Sequence, residues 1–315
     1  MSLADPSLPQ TLDPAMAALL EAMPDLTVDA ESLPTIRQLF AALAAGPEPD
    51  GLDATEHTVD EAAGIVLRVL RRSETAASPR PCVYWIHGGG YVIGDRRMDD
   101  VRLAAWVRAL DCVVVSVEYR LAPEHPFPAP LDDCERGLRW VHAHADELGI
   151  DIARIGIAGL SAGGGLTAAL AQRTKGDTSL PVIFQLLDSP MLDDRQVTPS
   201  SRADWLAVWS RDSNRFGWAS YLGEHSGAET MPEHAVPARA TDLTGLPPTL
   251  VLAGGADGFC DEDVEYATRL NRSGIPTELH VYPGAPHGFT MFPGSSLAEQ
   301  ADRDVIDWLR RQFER

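Results

Sequence analysis

Lysine is almost missing from this chain: Lys175 stands alone among 315 residues, and every other side-chain cation of fixed charge is an arginine. Schiff-base chemistry and a lysine nucleophile are therefore not expected, since both need a desolvated amine at the site. Basic charge is scarce altogether, with 26 bases against 46 acids and a formal net charge of −20. Nucleic acid and anionic membrane surfaces are held by basic patches, so neither is an expected partner. The acids are scattered rather than blocked, the pattern of a solvated surface. No run of 18 apolar residues occurs, so no membrane span is predicted. The opening Met-Ser-Leu-Ala-Asp-Pro lacks the basic and apolar regions of a secretory signal. Four cysteines (Cys82, Cys112, Cys134 and Cys260) lie far apart without a CxxC, and Cys82 and Cys112 fall in apolar, strand-like runs that suit buried thiols of a reducing compartment. A cytoplasmic location is the expectation.

What is present is enough apolar sequence for a large core: 44% of the residues are hydrophobic. Residues 1–50 read as helical pieces broken by prolines, with one helix over 15–23 behind Pro14 and another from Pro34 to about residue 45. Residues 55–59 and 65–70 suggest an antiparallel strand pair. Apolar, β-branched runs at 82–87, 112–118, 155–158, 182–187, 249–253 and 277–282 then alternate with helical patterns at 100–110, 131–148, 166–173, 262–273 and 297–313. That alternation predicts an α/β fold with a mostly parallel central sheet and helices on both faces. Residues 190–245, rich in proline and carrying Trp205, Trp209, Trp218 and Tyr221, interrupt it. Either a lid over the ligand-binding edge of the sheet or an aromatic packing insertion fits this segment. The chain divides accordingly into 1–50 and a body at 51–315 with an insertion at about 190–245.

The densest chemical signal is Gly159-Leu160-Ser161-Ala162-Gly163, set between an apolar strand and a helix-compatible stretch. This Gly-x-Ser-x-Gly pattern in a strand–turn–helix context exposes a serine above the sheet edge at a helix N-terminus. A serine hydroxyl needs a base, and His287 in Pro-His-Gly-Phe follows the last strand, where a Ser…Asp…His order places it. His142 and His144 sit two apart on a helical pattern and point away from each other, so no metal site is expected there. The base needs a carboxylate to hold its tautomer. Asp257 stands just past the strand at 249–253; Asp261 is the rival, placed with Glu262 as the N-cap and first turn of the next helix. Upstream, Ile86-His87-Gly88-Gly89-Gly90-Tyr91 follows a strand, and three glycines can aim backbone N–H groups at one oxyanion together with that of Ala162. A phosphate loop is the other use of such a turn, but no Gly-Lys-Ser/Thr or Gly-x-Gly-x-x-Gly accompanies it.

Taken together, His87-Gly88-Gly89-Gly90, the run from Tyr119 to Ala129 (Tyr-Arg-Leu-Ala-Pro-Glu-His-Pro-Phe-Pro-Ala), the serine turn, Asp257 and His287-Gly288-Phe289 resemble the hormone-sensitive-lipase-like carboxylesterases of the α/β-hydrolase superfamily. The likeness spans most of residues 80–315. It implies an α/β-hydrolase fold, Ser161 as nucleophile, His287 as base, Asp257 as its partner, and an oxyanion hole framed by Gly88, Gly89, Gly90 and Ala162. His87 and residues 119–128 would hold that loop in shape. The family also implies a helical cap built from the N-terminus and an insertion, no cofactor or metal, a small-molecule ester of short to medium chain as substrate, and a homodimer for which Thr277–Tyr282 is the candidate contact. Two positions depart from it. Leu160 stands where the family has Asp or Thr, removing a polar tie at the turn, and Asp257-Gly258-Phe259 replaces Asp-Pro-Leu, with Phe259 still able to pack beside the pocket. The other readings are a non-catalytic small-molecule-binding protein on the same fold, disfavoured by the presence of His287, and an amidase or lactonase using the same triad.

Overall fold

The computed structural model describes residues 12–23, 26–74, 78–203 and 206–315. Two N-terminal helices, α1 (Pro14–Glu21) and α2 (Leu33–Ala44), precede an antiparallel pair, β1 (Leu52–Asp60) and β2 (Ile65–Arg72). The alternating body then runs β3 (Arg80–Ile86), α3 (Asp100–Leu110), β4 (Val113–Glu118), α4 (Ala129–Ala143), α5 (Ala145–Leu148), β5 (Ile150–Leu160), α6 (Ala162–Thr174) and β6 (Gln185–Asp188). It ends with α7 (Arg211–Leu222), β7 (Thr249–Gly254), α8 (Cys260–Arg272), β8 (Thr277–Tyr282) and α9 (Ser296–Phe313). The strands form one sheet in the order β1-β2-β4-β3-β5-β6-β7-β8, antiparallel at the β1–β2–β4 end and parallel from β4 to β8. Among the described residues no helix is long and apolar enough to cross a membrane.

The period-2 geometry of a strand sends alternate side chains to opposite faces. Along β3, Cys82, Tyr84 and Ile86 join the apolar layer under α4, α6 and α8, while Val83 and Trp85 join the layer under α3 and α9. Both faces are covered, which is why β3, β4 and β7 read as nearly unbroken apolar runs. Phe184, fully buried at the entry to β6, meets Trp308 of α9 edge-on at 5.3 Å and fills the space left by Gly156.

The structure departs from the sequence expectation at element ends. The helix expected over 131–148 begins earlier and is broken at His144, whose φ of −113° is not helical, leaving α4 and the single turn α5. The strand expected at 182–187 is assigned to Gln185–Asp188, although the Ile183 N–H already pairs with Ile155 O. Helix α6 starts at Ala162, so the glycines at 163–165 form its first turn. Of the aromatic residues in the insertion, Trp205 lies outside the described residues.

One buried carboxyl has no counterpart in the apolar pattern. Asp263, in the first turn of α8, is fully buried and, among the described residues, neither of its oxygens has a hydrogen-bond partner. Burial first, then the nearby Glu262 and Asp257, push it well above the ordinary range. The folded chain therefore keeps a proton that the unfolded chain releases above about pH 4, so this group makes stability fall as pH rises beyond that point. Asp263→Asn is expected to flatten the pH dependence of the urea midpoint between pH 5 and 7, removing a slope of up to about 1.4 kcal/mol per pH unit; an unchanged slope would show Asp263 ionised in place.

Candidate active site

Strand β5 passes into α6 through Ser161, which holds φ 56° and ψ −119°. This left-handed backbone costs a residue with a side chain on the order of 1–3 kcal/mol and persists only where the surroundings enforce it. The enforcement is visible. A Cβ on Gly159 would run into the Gly163 carbonyl oxygen, and one on Gly163 into that of Ile86, so α6 packs against β5 and β3 at glycine distance. The Ser161 N–H donates to Asp188 O at 2.8 Å, and Ser161 O accepts from Gly165 and Met191, both at 2.9 Å. Leu160 is buried and lines the pocket beside Gly88, so the elbow is tied through backbone contacts to the β6 strand and its following loop.

His287 follows β8 through a short turn and reaches both partners. Its Nε2 lies 2.9 Å from Ser161 Oγ, and its Nδ1 lies 2.8 Å from Asp257 Oδ2. An ionised carboxylate can only accept, so Nδ1 carries the proton and Nε2 is left to accept from the serine hydroxyl. The other Asp257 oxygen accepts the Phe259 N–H at 3.0 Å, and the Phe259 ring stands edge-on to the imidazole at 4.9 Å. All three polar residues are at most 6% exposed. Asp261 is engaged elsewhere, accepting the Ser200 N–H at 2.8 Å. It lies in the first turn of α8 rather than at the N-cap, which Phe259 occupies.

The glycine turn after β3 passes beside the serine: a Cβ on Gly88 would sit 3.4 Å from that of Ser161. Gly89 (φ 111°) and Gly90 (φ 59°) adopt conformations that only glycine takes without strain. Val92 and Ile93 close the turn on Gly89 O at 3.0 and 2.9 Å. His87 stacks on Tyr119 with centroids 4.2 Å apart, and the Tyr119 hydroxyl donates to His87 O at 3.0 Å. Among the described residues, the N–H groups of Gly89, Gly90 and Ala162 donate to no protein acceptor. They are available to an oxygen bound beside Ser161.

Sequence reasoning missed the residues that brace the histidine loop. Thr290, three residues past His287, donates to Asp188 Oδ2 at 2.9 Å, and Arg102 Nη1 of α3 meets the same oxygen at 2.6 Å. Arg102 Nε bonds Asp302 of α9 at 2.7 Å, and the guanidinium lies 4.9 Å from the Trp106 ring centre. The buried Arg102–Asp188 pair, through the Thr290 hydroxyl, thus joins the strand that receives the Ser161 N–H to the loop that carries His287. The signal was an aspartate closing the strand-like run 182–187, without a motif to interpret it.

Above Ser161 opens a cavity of about 390 Å³. Val28 and the α2 residues Ile36 and Phe40 close one side, Val208 and Trp209 another, and Phe292 a third. Among the described residues, Ser161 and His287 are the hydroxyl and imidazole side chains of its wall, the rest being mostly apolar. Such a lining suits a neutral, largely apolar molecule with one polar centre.

Residues 83–291 match the family described as alpha/beta hydrolase fold. Esterase LipI of Mycobacterium tuberculosis is 32% identical over 309 residues, covering 94% of this chain and 93% of the relative. Carboxylesterase NlhH of the same organism is 35% identical, covering 89% of each. Among solved structures, a bacterial heroin esterase superposes with a TM-score of 0.89 at 38% identity, covering 96% of this chain and 98% of the other. The esterase LipW from Mycobacterium marinum gives 0.84 at 36%, covering 98% and 99%. Sheet order, elbow and sequence agree: the chain belongs to the hormone-sensitive-lipase-like carboxylesterases of the α/β-hydrolase superfamily.

Proposed function

We propose that Ser161 is the nucleophile of this carboxylic ester hydrolase, His287 its base and Asp257 the group that orients the base. The observation that carries the assignment is the unbroken chain Asp257–His287–Ser161, with links of 2.8 and 2.9 Å, opening into an apolar pocket. As Ser161 Oγ bonds to the ester carbonyl carbon, its proton passes to His287 Nε2. The carbonyl oxygen becomes an oxyanion that accepts from the N–H groups of Gly89, Gly90 and Ala162, with Gly88 shaping the turn. Collapse breaks the bond to the alcohol, which leaves with the proton from His287. Water then gives a proton to His287, attacks the acyl carbon, and releases the carboxylic acid while Ser161 regains its proton. Asp257 stabilises the imidazolium formed in each half and fixes its tautomer. No cofactor or metal takes part in these steps.

Residues 1–50 and 190–245 serve as a helical cap on the catalytic body at 51–315 in this reading, which the shared lining of the pocket by Ile36, Phe40 and Trp209 supports. The cavity volume favours esters of short to medium chain. Four unpaired cysteines, three of them buried, support a reducing compartment such as the cytoplasm. Strand β8 lies at the sheet edge with Val281 at the surface, a contact through which two copies would pair.

Ser161→Ala is expected to lower turnover of p-nitrophenyl esters by at least about 10⁴-fold. Near-normal turnover would remove Ser161 from the reaction, and a wild type inert to esters, anilides and lactones alike would favour a binding protein. Asp257→Asn should reduce kcat by roughly 10³–10⁴, through loss of the working tautomer, while Asp261→Asn stays within a few-fold; the reverse ranking would reassign the acid. Light scattering of the intact chain should give the mass of a dimer, lost on Val281→Arg if β8 is the contact.

A further inference from the structure

Helix α2 faces a difficulty that the other helices do not. Its inner side packs on the core through Leu33 and Ile36, but Ile36 and Phe40 also face the substrate cavity, so part of that side lacks the dispersion contact that fastens a helix to a sheet. Leu39 and Leu43 lie at the cavity mouth and are exposed. Among the described residues, Arg37 is the one polar side chain of α2 with protein partners, and it has several. Its Nε donates to Val92 O at 2.8 Å, and its Nη2 to Ala122 O at 2.9 Å. The Glu124 carboxylate receives the same guanidinium as a fork, at 2.7 and 2.8 Å. Ala122 and Glu124 belong to the Tyr119–Ala129 stretch, and Val92 follows the glycine turn. One side chain therefore clips α2 to the two loops that flank the proposed oxyanion hole.

We propose that Arg37 is a positioning residue that sets chain-length preference: it latches α2 over the cavity, so that ester chains long enough to reach Ile36 and Phe40 meet a closed apolar wall. The inference rests on Ser161 being the nucleophile. The glycine turn does not itself need the latch, because Val92 and Ile93 close it on Gly89 O and Tyr119 holds His87. Loss of Arg37 releases the wall and leaves the reacting atoms in place. On this proposal an acetyl group leaves the α2 wall untouched, whereas a longer chain meets it and binds less tightly when its methylenes face water. The Arg37 hydrogen bond holds Glu124 down at about 2, so the latch is ionised throughout the neutral range. Arg37 is 29% exposed and Glu124 55%, so added salt weakens the pair.

The test compares wild type, Arg37→Gln and Glu124→Gln on two series, p-nitrophenyl esters from acetate to octanoate and acetates of alcohols from ethanol to octanol. The expected result for Arg37→Gln is a fall of about tenfold or more in kcat/KM for the long member of one series, carried by KM. Its acetate value should change by less than about threefold. Glu124→Gln, which keeps both carbonyl contacts, should give a smaller loss of the same kind and supplies the answer if Arg37→Gln does not fold. Equal loss at every chain length, a loss carried by kcat, or an unchanged profile would overturn the latch. Ser161→Ala run alongside separates the two readings: activity surviving in it defeats the triad, whereas a dead Ser161→Ala with an unaltered Arg37→Gln profile defeats the latch alone.

Discussion

A serine held at φ 56° is the constraint on which the rest of the site depends. The strain is tolerated because α6 is pressed against β5 and β3 at distances only glycine permits, at positions 159 and 163. The press is supplied by the sheet, through the β3–β5 and β5–β6 registers that set Gly159 opposite Ile86 and Leu187. In return the serine hydroxyl stands at the start of a helix, with the Ala162 N–H beside it. Without a rigid parallel sheet, the same five residues would relax into an ordinary turn.

The histidine loop and the glycine turn are tied to that elbow by different means. Arg102, Asp188 and Thr290 form a buried, charge-assisted contact between α3, β6 and the segment following His287. Removing Arg102 would leave the buried Asp188 without its cation, a cost of the order of 3–5 kcal/mol, whereas Arg102 keeps Asp302 if Asp188 is lost. The glycine turn is held instead by neutral contacts, the His87–Tyr119 stack and backbone hydrogen bonds. Neither Arg102 nor Asp188 lines the pocket. The pocket itself is apolar, which strengthens every hydrogen bond made to a developing oxyanion.

Much of this was legible in the chain because the chemistry is local. Gly-x-Ser-x-Gly, three consecutive glycines after a strand, and a Pro-His-Gly after the last strand each encode a backbone shape within a few residues. The choice of Asp257 over Asp261 rested on position relative to a strand end; Asp257 lies 2.8 Å from His287 and supports the proposed triad. The helix break at His144 and the N-cap at Phe259 were not legible, since both depend on what the neighbouring elements allow. Nor was Arg37, whose partners lie 55 to 87 residues away.

By itself, then, the sequence determined the alternation of strands and helices, the elbow, the glycine turn and the chain order of the proposed serine, acid and base. These follow from short-range backbone sterics and period-2 or 3.6 burial patterns. Only the tertiary structure decided that the three polar residues meet within hydrogen-bond reach, that Arg102 and Asp188 pair beneath them, and that α2 closes the cavity through one guanidinium. Those outcomes depend on distances between segments far apart in the chain, which are set by sheet order and packing and have no local signature.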